Sequence, residues 1–285
     1  ANDLVAARLN GRLIDLARPV EEDGEISGLR RGDPESLEIL RHSTAHIMAE
    51  AVLALFPRVK VTIGPAIETG FYYDFDYDKA FTPEDLPRIE EKMAEIIKSG
   101  RPFIRRDVTS QEAVDFFSSL AETYKVELIQ DLGAETVSLY EQGGFTDLCR
   151  GPHLPSTRFV AAFKLLGVAG AYWRGDEKRP MLQRIYGTAW NSEEELKDYL
   201  WRVEEAKKRD HRKIGQELDL FSSNDEIGAG LILWHPKGAM MRKIIENFWS
   251  EEHITNGYDS VYTPHIGKAQ LWETSGHLGF YKENM

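Results

Sequence analysis

The clearest periodic pattern of apolar positions lies between Leu37 and Ala51. Apolar and small side chains recur there at steps of three and four residues, which predicts an amphipathic helix with one core-facing stripe. The stripe consists of Leu37, Leu40, Thr44, Ile47, Met48 and Ala51. Asp33 is the predicted N-cap, Pro34 is tolerated in the first turn, and Pro57 is expected to stop the helix.

The opposite face of this helix carries His42 and His46, one helical turn apart. Their neighbours on that face are small or apolar instead of Lys or Glu, so we expect the two imidazoles to line a pocket. Cys149 and His153 repeat the four-residue spacing, and the two pairs hold three of the eight histidines and the only cysteine. A single pair more often marks core or surface histidines, but two pairs point to zinc binding or hydrolytic chemistry.

The segments around these pairs alternate between strand and helix patterns. A hairpin is predicted between Leu9 and Leu16, with its turn at Asn10-Gly11. Strands are predicted at 59–63, 71–77 and 135–140, helices at 83–99, 110–123 and 127–132, and further strands between 159 and 189. A loop at 141–145 is expected to lead into the segment that carries Cys149 and His153. This order favours an α+β fold in which helices pack against an antiparallel sheet.

Beyond residue 190 the sequence becomes more charged. A helix is predicted after a capping box of Ser192 and Glu195. It leads into a basic run, in which five of seven residues are positive: Lys207, Lys208, Arg209, Arg212 and Lys213. Such a run is often only a solvated face, but in an acidic chain it can also contact a phosphate backbone. Further on, 237–253 has the pattern of an amphipathic helix and 259–264 that of a strand.

Composition narrows the class of protein. A chain of 285 residues, 42% of them hydrophobic, is long enough for roughly two globular domains. No run is apolar enough to cross a bilayer, and the sequence does not open with a secretory pattern. The single cysteine excludes an intramolecular disulfide, which favours a reducing cytoplasm. The net charge of -12 argues against non-specific coating of nucleic acid but permits a local basic patch.

Five motifs, taken in order along the chain, resemble those of threonyl-tRNA synthetases of the bacterial type. They are Arg41-His42-Ser43-Thr44-Ala45-His46, Gly70-Phe71-Tyr72-Tyr73-Asp74-Phe75, Asp147-Leu148-Cys149-Arg150-Gly151-Pro152-His153, Gly170-Ala171-Tyr172-Trp173-Arg174-Gly175-Asp176 and Leu182-Gln183-Arg184-Ile185-Tyr186-Gly187-Thr188-Ala189-Trp190. The resemblance covers the whole chain. It implies four segments: part of a β-grasp (TGS) domain at 1–31, an editing domain at 32–190, a linker helix at 191–217, and the start of a class II catalytic domain, through its first motif, at 218–285.

The resemblance implies a threonine–tRNA ligase, which attaches threonine to tRNA(Thr) with ATP, and an editing domain that hydrolyses mischarged seryl-tRNA(Thr). The full-length enzyme of this family uses ATP, magnesium and zinc, whose sites would lie beyond Met285. We therefore expect this chain to hydrolyse but not to ligate. A homodimer is expected for the full-length enzyme through class II motif 1.

The resemblance also implies which residues form the editing pocket. They are His42, His46, Tyr73, Lys125, Asp147, Cys149 and His153. Neutral histidines can orient or activate water, Asp147 can bind the ammonium or hydroxyl of the substrate, and Lys125 can stabilise the tRNA end and developing negative charge. Tyr73 adds a polar contact to the substrate. We expect that no metal is required. If zinc were bound, its ligands would be His42, His46, Cys149 and His153.

Two other functions remain open from the sequence. The chain could be a zinc-dependent deacylase of the alanyl type, which an exchange of the charged tRNA supplied would distinguish. It could also be a non-catalytic module that binds tRNA or structured mRNA through the hairpin and the basic run. Alanine at His46 separates this module from an enzyme, because only in an enzyme would the change abolish turnover while RNA affinity stays intact.

Overall fold

The computed structural model describes residues 3–228 and 230–280. The chain divides into two compact units, Ala1–Val203 and Glu204–Met285. The end of the predicted catalytic segment, residues 281–285, lies outside the described residues. Helices and antiparallel sheets together make up the fold, as the sequence predicted. Within the described part of the chain, no helix has both the length and the apolar character needed to span a membrane.

A small antiparallel sheet opens the chain, with strand order β2-β1-β3. Its strands are β1 (Leu4–Leu9), β2 (Arg12–Ile14) and β3 (Ile26–Arg30). The predicted hairpin is confirmed, because Asn10 and Gly11 both adopt positive φ angles (50° and 79°), as a two-residue turn between twisted strands requires. Val5 and Leu29 face the main core, so this sheet is part of the first unit.

The main core of the first unit lies between two helices and a five-stranded sheet. Its elements are α1 (Ser36–Leu55), β4 (Lys60–Val61), β5 (Ala66–Ile67), β6 (Gly70–Asp76) and α2 (Asp85–Ser99), joined by β10 (Ala162–Tyr172) and β11 (Met181–Trp190) from later in the chain. The strand order is β10-β11-β6-β4, with β5 paired to β6. Tyr73 lies opposite Ile185 in the register, and both side chains are fully buried.

A second antiparallel sheet has the strand order β7-β8-β9, and Cys149 follows its last strand. It consists of β7 (Ile104–Thr109), β8 (Thr136–Gln142) and β9 (Phe145–Leu148), and is covered by α3 (Ser110–Ser119) and α4 (Thr123–Leu132). The predicted loop at 141–145 is wrong. Gln142 pairs with Phe145 across a tight hairpin, so that only Gly143 and Gly144 lie outside the strands.

The predicted N-cap of α1 is also wrong. The helix begins at Ser36, and the cap position is Glu35, which makes no side-chain capping bond. Asp33 instead folds the preceding turn, because its Oδ2 accepts a hydrogen bond from the backbone N–H of Arg30 at 2.7 Å. The predicted end before Pro57 is confirmed. Since α1 is buried on the histidine face as well as on its apolar stripe, it passes through the interior of the unit.

The remaining elements are α5 (Glu193–Lys208), α6 (His211–Glu217), β12 (Phe221–Ser223), β13 (Ile232–Trp234), α7 (Pro236–Thr255), α8 (Ala269–Thr274) and α9 (His277–Phe280). The predicted linker helix 191–217 is therefore two helices. Asp210 interrupts it by capping α6, accepting a hydrogen bond from the N–H of Arg212 at 2.8 Å. The predicted strand at 259–264 is wrong, because no described strand pairs with it and its backbone stays irregular.

Replacement of Ile89 by alanine tests the packing of α2 against the core. Ile89 is completely buried, so its truncation should lower the free energy of unfolding by about 2–5 kcal/mol, because it removes buried apolar surface and leaves a cavity. The matched control is Glu91→Ala on the exposed face of the same helix, which should change stability by less than about 0.5 kcal/mol. Equal effects of the two changes in urea denaturation would contradict this packing.

Candidate active site

The first unit brings all seven predicted site residues to one place. Helix α1 supplies His42 and His46, and strand β6 of the five-stranded sheet supplies Tyr73. Lys125 comes from α4 and Asp147 from β9. Cys149 and His153 lie in the irregular segment that follows β9. The site is therefore formed where the main core, the second sheet and this segment meet.

A buried ion pair lies at the bottom of the site. The Nζ of Lys125 contacts the carboxylate of Asp147, and the two residues are 1% and 2% exposed. The hydroxyl of Tyr73 donates a hydrogen bond to Asp147 Oδ2 at 2.6 Å and accepts one from Lys125 Nζ at 3.1 Å. Each charged group thus has an opposite charge and a polar neighbour, which offsets part of the cost of removing both from water.

His46 joins this pair and retains one nitrogen for another partner. Its Nε2 lies 3.5 Å from Asp147 Oδ2, while its buried Nδ1 has no hydrogen-bond partner among the described residues. A neutral imidazole that points Nε2–H at the carboxylate leaves the lone pair of Nδ1 available as an acceptor. The carboxylate thereby orients the imidazole, as in hydrolases where a buried acid fixes the tautomer of a histidine.

Cys149 lies between the other two histidines. Its Sγ is 3.3 Å from His42 Nε2 and 3.2 Å from His153 Nε2, and it accepts a hydrogen bond from the N–H of Gly151 at 3.2 Å. On the far side of the His153 ring, Nδ1 is 3.0 Å from the hydroxyl of Ser43. This hydroxyl also accepts the N–H of Leu154, which leaves its own proton for His153.

Burial keeps the histidines and the thiol neutral. Desolvation lowers the pKa of His46 to about 3 despite the opposing charge of Asp147, and it lowers the pKa of His42 and His153 as well. Desolvation also raises the pKa of the Cys149 thiol to about 12. The site at neutral pH thus contains three neutral imidazoles, which can accept hydrogen bonds, and a thiol that is a weak nucleophile.

Asp147 remains the negative charge of the site. Burial by itself would raise the pKa of its carboxyl, but the Lys125 charge, His46 and the Tyr73 hydroxyl outweigh that effect and lower it. Burial and the neighbouring Asp147 charge raise the pKa of Tyr73 well above its ordinary value, so Tyr73 stays a hydrogen-bond donor. A single buried anion held beside a neutral base is an arrangement suited to binding a cation and orienting water.

The donor set also fits zinc. His42, His46, Cys149 and His153 offer ligand atoms that all lie within 4.8 Å of one another. Tetrahedral zinc with ordinary bond lengths separates neighbouring sulfur and nitrogen ligands by about 3.6 Å, close to the separations around Cys149. The same short contacts also suit thiol–imidazole hydrogen bonds. Zinc binding would displace the thiol proton of Cys149.

Sequence reasoning missed four side chains that contact or support the site. Ser43 fixes the His153 ring, Phe103 stacks on that ring at 4.9 Å between centroids, and Asp15 and Tyr140 hold the segment that carries it. Ser43 lies inside the His42 motif and could have been considered from its position alone. The other three come from separate strands or turns and carry no local signal.

A surface cavity of about 480 Å³ is lined by one of the seven site residues, Cys149. Cys149 forms part of its wall, together with apolar side chains of α4 and the second sheet, Leu128, Val137 and Leu148. Its charged lining consists of Arg105, Asp107, Asp131 and Arg150. Since His46, Asp147 and His153 are nearly inaccessible, this cavity is a route by which a ligand can approach Cys149.

The basic run is exposed and belongs to the second unit, whereas the seven site residues belong to the first. Each of its members has an acidic neighbour: Lys207 with Glu204, Lys208 and Arg209 with Glu205, Arg212 with Asp210, and Lys213 with Glu217. Exposed pairs of this kind stabilise the fold little, since water screens them, and they can exchange for a phosphate. Their role as tRNA contacts stays a prediction.

One segment of the first unit matches a known domain family. Residues 137–186 match a family described as the threonyl and alanyl tRNA synthetase second additional domain. The match includes Asp147, Cys149 and His153, so part of the site lies within it. That family is described for synthetases of two amino acids.

Comparison over the whole chain finds similarity to threonine–tRNA ligases. The chain is 60% identical to threonine–tRNA ligases from Citrifermentans bemidjiense and Geobacter sp. (strain M21), and 59% identical to that of Pelobacter propionicus. Each alignment covers 100% of this chain and 45% of the relative, so the chain spans less than half the length of these relatives. The resemblance drawn from the motifs is confirmed, and the chain is related along its whole length to threonine–tRNA ligases.

Glu122, three residues before Lys125 in the sequence, gives a pH-dependent test of burial near the site. Its carboxylate accepts the N–H of Val61 at 3.1 Å, and burial raises its pKa from 4.5 to about 7. The native state therefore holds this proton more tightly than the unfolded chain, and stability falls as pH rises from about 4.5 through 7. Glu122→Gln keeps the acceptor but removes the charge. Relative to the parent, this variant should gain roughly 2 kcal/mol between pH 5 and pH 8; a pH-independent difference in urea denaturation would contradict this.

Proposed function

We propose that residues 32–190 are an editing domain that hydrolyses the ester of seryl-tRNA(Thr), within a chain that is part of a threonine–tRNA ligase. The observation that carries the proposal is the buried Lys125–Asp147 pair with His46 beside it, whose Nδ1 has no partner among the described residues. The relatives named threonine–tRNA ligase and the synthetase domain match over 137–186 support it.

Such a domain answers a physical limit on amino-acid selection. Serine lacks one methyl of threonine, and a missing methyl changes binding by only about 1–3 kcal/mol, or roughly 10–200-fold. A synthetic site built for the hydroxyl that both share cannot exclude the smaller amino acid. A second site, too small for the extra methyl, can then hydrolyse the seryl ester and leave the threonyl ester intact.

Asp147 is the group that binds the ammonium of the seryl moiety in this proposal. It is the buried anion of a site whose histidines are neutral, so a cation entering there gains a charge-assisted hydrogen bond. The Tyr73 hydroxyl fixes the carboxylate by donating to Oδ2. Lys125 lies on the other side of Asp147 and supplies positive charge next to the ester, where the ribose of the tRNA end would lie.

Hydrolysis adds water to the ester carbon and breaks the bond to the ribose oxygen. Nδ1 of His46 accepts a hydrogen bond from the water and orients its oxygen toward that carbon. Because its pKa is about 3, His46 remains neutral, so it orients the water and does not take up its proton. Lys125 stabilises the negative charge that develops on the carbonyl oxygen, and the water proton passes to the leaving ribose oxygen, which gives serine and tRNA.

The two His/Cys pairs would hold zinc if this site used a metal, and zinc would lower the pKa of a bound water there. We propose that the metal is not required, because Cys149 already has hydrogen-bonding neighbours in both histidines. His42 and His153 then serve to shape the pocket around the seryl side chain.

The rest of the proposal follows the relatives. The layout comprises a β-grasp (TGS) part at 1–31, the editing domain at 32–190, a linker at 191–217, and the start of a class II catalytic domain at 218–285. ATP, magnesium and a catalytic-domain zinc would belong to the whole enzyme, as would a homodimer formed through class II motif 1. A role in charging tRNA(Thr) would place the protein in the cytoplasm.

Deacylation of seryl-tRNA(Thr) tests the proposed function directly. The chain should release serine from this tRNA and spare threonyl-tRNA(Thr), because the pocket lacks room for the methyl. His46→Ala should abolish turnover and leave tRNA affinity within about twofold, since the imidazole is buried below the binding surface.

Three outcomes would contradict it. Equal hydrolysis of both esters would remove the steric basis of selection. Preference for seryl-tRNA(Ala) over seryl-tRNA(Thr) would favour an alanyl-type deacylase, and RNA binding without any turnover by the parent chain would favour a binding module.

Metal removal tests whether zinc is required. After dialysis against a chelator, with residual zinc measured by atomic absorption, the chain should hydrolyse seryl-tRNA(Thr) at its original rate, because no step above passes through a metal. Loss of activity on chelation, restored by one equivalent of zinc, would show that the metal is required.

Replacement of Lys207, Lys208 and Lys213 by glutamine tests the basic run. If these side chains bind tRNA phosphates, affinity should fall, and the log–log salt slope should flatten by about one unit for each phosphate that is no longer neutralised. Glutamine at Lys79, Lys98 and Lys178 removes the same charge from exposed positions elsewhere and is the matched control. Identical affinity and slope in both triple variants would make the run a solvated face.

A further inference from the structure

Asp15 connects the N-terminal sheet to the candidate active site. It follows β2 directly and lies far from the site in sequence. Its Oδ1 accepts the backbone N–H of His153 at 2.8 Å, and its Oδ2 accepts the hydroxyl of Tyr140 at 2.6 Å. Both oxygens of one carboxylate from the first segment therefore bind the part of the chain that carries a site histidine.

The segment that carries His153 needs such a partner. Residues 149–154 have no regular secondary structure, so no helix or sheet ladder accepts the N–H of His153. Gly151 lies so close to the Tyr140 hydroxyl that a Cβ at this position would be 1.9 Å from it. Tyr140, held by Asp15, is thus the surface against which the segment packs.

The ring of His153 is fixed by the same arrangement. Phe103 stacks on it with an interplanar angle of 5°, and the Tyr140 ring lies 4.5 Å from it between centroids. Ser43 holds its Nδ1, which directs Nε2 toward Cys149. Asp15 anchors the backbone from which this ring projects, so a shift of the backbone would move Nε2 relative to Cys149.

A second contact between the N-terminal sheet and the core attaches the sheet at a place away from the seven site residues. Arg31, just after β3, donates from Nη2 to the backbone carbonyl of Phe159 at 2.7 Å. This bond joins the same two parts of the unit but touches none of the seven site residues. Variants at the two contacts can therefore distinguish attachment of the sheet from positioning of His153.

We infer that Asp15 is a positioning residue of the active site, and that residues 1–31 complete this site by holding His153 in place. The carboxylate touches neither the substrate nor the water in the proposed reaction, so it acts through His153 and Tyr140. For its effect on catalysis the inference rests on the proposed hydrolysis of seryl-tRNA(Thr).

Three variants of the whole chain test this. Asp15→Ala should lower kcat for seryl-tRNA(Thr) hydrolysis by roughly 10–100-fold with KM changed less than about threefold, because binding at the tRNA surface is untouched. Asp15→Asn keeps an acceptor for His153 and can donate to Tyr140, so it should restore most of kcat. Arg31→Ala should keep the parent kcat. Equal loss in Asp15→Ala and Arg31→Ala, or no rescue by asparagine, would overturn the inference in favour of docking alone.

Amide hydrogen exchange gives a readout that does not depend on activity. The His153 N–H should exchange faster in Asp15→Ala than in the parent, Asp15→Asn or Arg31→Ala, because only alanine removes its acceptor. Unchanged exchange in Asp15→Ala would overturn the inference even if hydrolysis is observed. If the parent chain does not hydrolyse the ester, the proposed function fails, and the exchange rate still decides whether Asp15 positions His153.

Discussion

The buried ion pair between Lys125 and Asp147 is the interaction on which the rest of the site depends. Removing two charges from water costs several kcal/mol each, and breaking such a pair by removing one partner typically costs about 3–5 kcal/mol. Tyr73 and His46 reduce that cost by hydrogen bonding and proximity to the carboxylate. A well-packed apolar pair would be at least as stable, so the charges are better explained by the chemistry they permit.

Neutral histidines follow from the same burial. A single anion inside a dry pocket would ordinarily favour protonated imidazoles, yet Lys125 already balances Asp147, and desolvation then dominates. The consequence is a site with one fixed charge pair surrounded by groups that accept hydrogen bonds without carrying charge. A cationic amino group and a water molecule are the two ligands that such an arrangement binds most readily, and an aminoacyl ester being hydrolysed requires both.

Part of this could be predicted from sequence, because helix periodicity places His42 and His46 on one face whatever surrounds the helix. The meeting of Tyr73 with Asp147, 74 residues apart, depends on how two sheets pack and has no local signal. Asp33 is not the helix cap, because its side chain accepts a hydrogen bond from the backbone N–H of Arg30 in the preceding turn. The strand predicted at 259–264 failed because β-propensity needs a partner strand, and none of the described strands pairs with it.

The most direct measurement is a crystal structure of the chain with an adenosine whose 3′-amino group carries serine through an amide, which resists hydrolysis. We predict that the serine ammonium lies within hydrogen-bonding distance of Asp147 and that the amide carbon faces Nδ1 of His46, with the nucleoside on the Cys149 side. Binding of the analogue at any other surface, with the Lys125–Asp147 pair still closed to it, would contradict the assignment of this pocket as the hydrolytic centre.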